Sequence, residues 1–196
     1  MQPFLTRTAL TIALAAAITP GWPAGAQVER TIIQRTETTT INPVHSQMDT
    51  GLLVSMAEFG VRELALAEVA LRRSKNSTVR QYASEVIASH ERNDKELQLL
   101  AAEKNLTVPS TRKDLSTRSA GKLRSLLERM SVWSGERFDR EYLNLAYSNQ
   151  TEGLREYRAA AEQAAAADIR AYAERNLEAL ENQQAIAGAL ARRLAS

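Results

Sequence analysis

The 196-residue chain contains no cysteine. That absence excludes disulfides, thiolate metal sites, cysteine nucleophiles and a lipidated N-terminal cysteine. Glycine and proline are scarce, at 8 and 5 residues, and long tracts contain neither, which favours helices over turn-rich sheets. Aromatics make up only 5%, and no basic run exceeds two residues, so the stacking platforms and cationic clusters of nucleic-acid binders are missing. Histidine occurs only twice, at His45 and His90. Gly-rich phosphate loops, HExxH pairs and GxSxG elbows are absent as well.

What remains is the composition of a folded chain, 44% hydrophobic and 24% charged, long enough for one domain with a sizeable core. The 25 basic and 23 acidic side chains are interspersed, so the net charge of +2 is a small excess and not a patch.

The N-terminus, MQPFLTRTALTIALAAAITPGWPAGAQ, reads as a cleaved signal peptide over residues 1–26. Arg7 supplies the positive end, Ala9 to Ile18 the apolar stretch, and Ala24-Gly25-Ala26 the small residues before the cut. About ten apolar residues are too few to span a bilayer, which needs roughly 20. The expectation is an exported chain, periplasmic or secreted in a bacterium, with envelope association open and no transmembrane segment after cleavage. Residues 27–48 are Thr-rich and polar, with Pro43 and a solvated His45 inside them, and read as a flexible leader.

From Thr50 the pattern changes to helical spacing. Leu52, Met56, Phe59, Leu66 and Ala70 mark a first helix to Lys75. Ser77 is the expected cap of a second, Thr78 to Lys104, with Val79, Tyr82, Val86, Leu97 and Leu100 inside and His90 in phase with them. Asn105 to Thr117, with Pro109, reads as a long connection, followed by a short amphipathic helix over Ala120 to Arg129. With Trp133 near its end, that helix is a candidate for peripheral membrane attachment. Ser134 is the expected cap of a third long helix carrying Phe138, Tyr142 and Leu145. A turn near Ala164 to Asp168, with Asp168 as cap, separates it from a last helix over Ile169 to Leu194. VRQYAS at Val79 and IRAYAE at Ile169 hint at a repeat, each opening the second helix of a pair. These elements make an all-α domain over 49–196: a four-helix bundle of two antiparallel hairpins joined by a long crossover with a short extra helix.

The phrases FGVRELALAEVAL, VRQYASEVIASHERNDKELQLLAAEKNLTVP, SGERFDREYL and IRAYAERNLEALENQ together carry a family likeness. The chain resembles the ferritin-like, exported bacterial domain-of-unknown-function family 4142, often labelled an outer-membrane or membrane protein, over roughly Asp49 to Leu190. The resemblance implies a ferritin-like fold and no established activity. It also implies an acid on the first helix, an Asp-His pair on the second, another on the third and a histidine on the fourth. Glu63 and His90 match; Ser89 stands before His90, and Ser148-Asn149 and Gln183 stand at the other positions.

Counting residues outward from the two turns places Glu63 level with His90, and Asn149 level with Gln183. All four lie at or beside the apolar stripes, so one buried polar layer is expected, in which an ionised Glu63 would favour the protonated form of His90. A di-iron bundle needs about four carboxylates and two histidines in Glu-x-x-His pairs, and no such pair occurs here. The expectation is a non-catalytic binding or envelope-associated module with an unknown protein or envelope partner, and no cofactor. The alternative is a metal-binding or redox-related protein holding a divalent ion weakly at Glu63 and His90. Acid pairs such as Glu136/Asp139 and Glu178/Glu181 read as solvated faces.

Overall fold

The computed structural model describes residues 43–195, with side chains from 47 onward. The expected signal segment, the leader up to residue 42 and the side chain of His45 fall outside the described residues. Five helices follow one another: α1 (Pro43–Arg73), α2 (Ser77–Glu103), α3 (Thr117–Ser131), α4 (Gly135–Gln163) and α5 (Ala167–Arg193). There is no strand among the described residues. Hairpins α1–α2 and α4–α5 pack side by side as a ferritin-like four-helix bundle. The crossover from α2 to α4 carries a 3₁₀ turn, Arg112–Asp114, and then α3, which lies against α1 and α4.

α1 starts at Pro43, ahead of the expected Thr50. Proline suits a first helical position, where its missing N–H has no intrahelical acceptor to lose. At the first turn the cap is Asn76, not Ser77: its Oδ1 accepts from Thr78 N at 3.0 Å and Val79 N at 3.3 Å. Asn76→Ala should cost about 1 kcal/mol, measured as a drop of roughly 2–4 °C in Tm.

Just beyond the end of α2 stands Asn105, whose φ of 57° is left-handed. Leu106 N reaches back to Ala101 O, and Asn105 N to Ala102 O, both at 2.9 Å, which closes the helix in a Schellman motif. α3 is capped by Ser116, whose hydroxyl accepts from Ser119 N at 3.3 Å, while Glu58 on α1 accepts from Ser116 N at 2.8 Å. At its far end Arg73 donates to Met130 O and Trp133 O and lies over the Phe138 ring. Leu123, Leu126, Met130 and Trp133 are buried, so the face expected to meet a membrane lies in the core. No helix among the described residues is long and apolar enough to cross a membrane.

Ser134 holds the cap position of α4, but its side chain makes no capping bond. The break before α5 falls where expected, though Asp168 is not the cap. Ala166 occupies that position, and Asp168 sits in the first turn, paired with Lys104 Nζ at 2.6 Å.

The core has two apolar clusters. One surrounds Leu66, Val79, Tyr82, Met130, Phe138 and Tyr142. The other surrounds Leu53, Phe59, Leu97, Tyr157, Ile169 and Tyr172. Polar side chains of α1, α4 and α5 fill the level between them.

Candidate functional site: a buried polar layer

Glu63 enters this level from α1 and is 2% exposed. Two amides from consecutive α4 residues meet it: Asn149 Nδ2 donates to Oε1, and Gln150 Nε2 donates to Oε2 at 3.0 Å. Gln150 Nε2 also donates to Gln183 Oε1 on α5, at 3.0 Å. Three of the four expected residues therefore share one hydrogen-bonded layer. Its central member, Gln150, was missed in the sequence. The signal was there: Gln150 lies in step with Ala146, Gly153 and Tyr157 on the buried face of α4.

His90 is not in the layer. The α1–α2 link is centred on Lys75, so His90 lies level with Gly60, where a Cβ would stand 3.7 Å from its Nδ1. The expected centre, between Asn76 and Ser77, displaced the match by three residues, about 4.5 Å along a helix. No hydrogen bond joins His90 to Glu63, and Nε2 has no partner at all. The imidazole instead packs edge-on against Phe59, with centroids 5.5 Å apart, beside a cavity of only about 10 Å³. Such a space holds at most one water.

Charge in this level is governed by burial. Desolvation raises the Glu63 pKa to about 7, against the opposing pull of Asn149, Arg62 and Gln150. Desolvation lowers the His90 pKa to about 4, so the ring is neutral and not the imidazolium expected beside a carboxylate.

A second charged group lies against the layer on the α3 side. Arg62, 3% exposed, donates to Ser119 Oγ at 2.7 Å and pairs with Glu152 and Glu156 at 3.5 and 3.7 Å. Lys122 on α3 closes the group onto Glu152. Burial raises the Glu156 pKa to about 7 despite Arg62. Arg62 was not singled out in the sequence, where it reads as one more surface arginine.

No group of three or more His, Asp or Glu side chains that could hold a metal converges among the described residues. In the layer itself both oxygens of Glu63 face amide N–H groups, whose positive hydrogens repel a cation. The residues present do not fit a di-iron centre.

The sequence model of the domain of unknown function DUF4142 matches residues 34–190. The chain belongs to this family. Three solved structures share the DUF4142 chain's fold at low identity. A conserved hypothetical protein of Mycobacterium tuberculosis is 15% identical with a TM-score of 0.59, covering 74% of this chain and 97% of its own. A DUF305 protein of Streptomyces coelicolor, described as a candidate secreted protein, is 14% identical with a TM-score of 0.63, covering 76% and 94%. A DUF305 fragment of Deinococcus radiodurans is 15% identical with a TM-score of 0.60, covering 78% and 97%. No curated protein matches the sequence.

Proposed function

We propose that this DUF4142 chain is an exported, non-catalytic helical module that binds a protein or envelope partner, and that its polar layer fixes the register of the bundle. One observation carries the structural role of the layer: the only carboxylate in it has both oxygens taken up by the amides of Asn149 and Gln150. Buried polar contacts of this kind penalise every helix offset that leaves them unpaired, as a single buried Asn does in coiled coils. Export rests on the signal-like N-terminus, and the Streptomyces neighbour's description supports it.

Elemental analysis tests the reading against the metal-binding alternative. Residues 27–196, exported in the native host and purified without chelator or tag, should carry far less than one metal per chain and take up none in a re-addition titration. Near-stoichiometric metal, lost in both Glu63→Gln and His90→Ala, would overturn the reading and make those two residues ligands.

A further inference from the structure

The turn between α4 and α5 has a sequence that prefers not to turn. Residues 160–169 read AAEQAAAADI, with neither glycine nor proline, and alanine is the strongest helix former. Yet Ala164 and Ala166 have ψ of 134° and 125°, which are extended values. Ala166 also caps α5 with no side-chain acceptor of its own.

Two side chains hold the break open. Asp49, brought in by α1, accepts from Ala165 N at 2.7 Å and Ala166 N at 3.0 Å. Arg170, one turn into α5, donates to Ala164 O at 2.6 Å and Ala165 O at 2.8 Å. Four backbone groups that a continuous helix would pair internally are thus paired by one acid and one base.

We infer that this turn is a hinge through which two copies of the chain exchange α5, and that Asp49 and Arg170 are the clamps holding each chain in its closed hairpin. Straightened, α4 and α5 become one helix from Gly135 to Arg193. The α5 of each copy then packs on α4 and α2 of the other and remakes the contacts it makes at home. These include Gln150–Gln183, Tyr157–Tyr172 and Lys104–Asp168. Since the bundle contacts are the same in both forms, the hinge decides between them. Asp49 is 8% exposed in the closed hairpin, and in the exchanged form it loses both of its donors, a cost the closed form does not carry. Without Asp49 that penalty disappears, and the helical preference of the alanine run prevails.

The test uses Asp49→Ala and Arg170→Ala, each refolded at high protein concentration, and each again with Ala167→Pro. Ala167 opens α5 after an extended residue, a position that accepts proline in the hairpin and forbids a continuous helix. Mass is read by light scattering. Because the chain lacks cysteine, Arg137→Cys and Arg192→Cys can carry spin labels, diluted with unlabelled chain. The hairpin brings these helix ends together, since Arg140 and Arg192 line one cleft, whereas a straight helix separates the labels by about 80 Å. The expected result is a monomer with a short distance for the parent, a dimer with the long distance for each single variant, and a return to monomer with Ala167→Pro. Folded monomers with the short distance in the single variants, or a dimer that survives Ala167→Pro, would overturn the inference. If Asp49→Ala fails to fold, the half-exposed Arg170 decides alone.

Discussion

Gly153→Ala should destabilise the protein by about 2 kcal/mol, although the same exchange in an open helix stabilises by nearly 1 kcal/mol. A Cβ at Gly153 would stand 2.3 Å from Phe59 Cζ and 2.5 Å from Cε2. The ring has nowhere to go. It is fully buried, with His90 on one edge and Tyr157 on another, at centroid distances of 5.5 and 6.2 Å. Denaturant titration would read the loss as a lower midpoint at unchanged slope. Phe59→Leu, costly alone, should recover part of the loss when combined with Gly153→Ala, because the shorter side chain frees the space. Strict additivity of the two changes would show that the contact does not limit packing.

A second large effect lies in pH. Glu63 has a folded pKa near 7, above its ordinary 4.5, so the folded state holds its proton more tightly than the unfolded chain. Its contribution is fully present below 4.5 and is lost as pH rises through 7, amounting to roughly 3 kcal/mol. Glu156 acts with the same sign over the same window. His90 acts oppositely: its folded pKa near 4 lies below 6.5, so its contribution is present above 6.5 and is lost as pH falls through 4. In the parent these slopes partly cancel between pH 4.5 and 6.5. Substitution separates them. Relative to the parent, Glu63→Gln should gain about 3 kcal/mol between pH 5 and 8, and His90→Phe a similar amount between pH 7 and 4. Urea denaturation across pH measures both differences; parallel profiles for parent and variants would refute the assignment.

The bundle was legible because the apolar spacing of α1, α2, α4 and α5 runs for many turns. Met56, Phe59, Val79, Tyr82, Val86, Leu97, Phe138 and Tyr142 are all buried as the spacing implies. The layer was only partly legible. Its height depends on turn centres, and the run Ser74-Lys75-Asn76-Ser77-Thr78 offers several equally good caps. Running the first helix to Lys75 where α1 ends at Arg73, and choosing Ser77 over Asn76 as cap, moved His90 into a layer it does not join. Asn149 and Gln183 came out at one level because the second turn was placed well. The break before α5 was legible as a place but not as a cause, since its stabilising acid lies more than a hundred residues away. Likewise, an amphipathic α3 looks the same in sequence whether its apolar face meets lipid or a core shared with α1 and α4.

The α1–α2 hairpin closes through a short link and local contacts and the α4–α5 turn needs Asp49 of α1, whereas the bonds from Glu63 to Asn149 and Gln150 span 86 and 87 residues. The carboxyl group is therefore stripped of water only when the two halves meet. That makes docking of the halves the step at which a proton matters. Refolding should slow as pH rises from 5 to 8 while unfolding changes less, and Glu63→Gln should fold at a rate nearly independent of pH over that range.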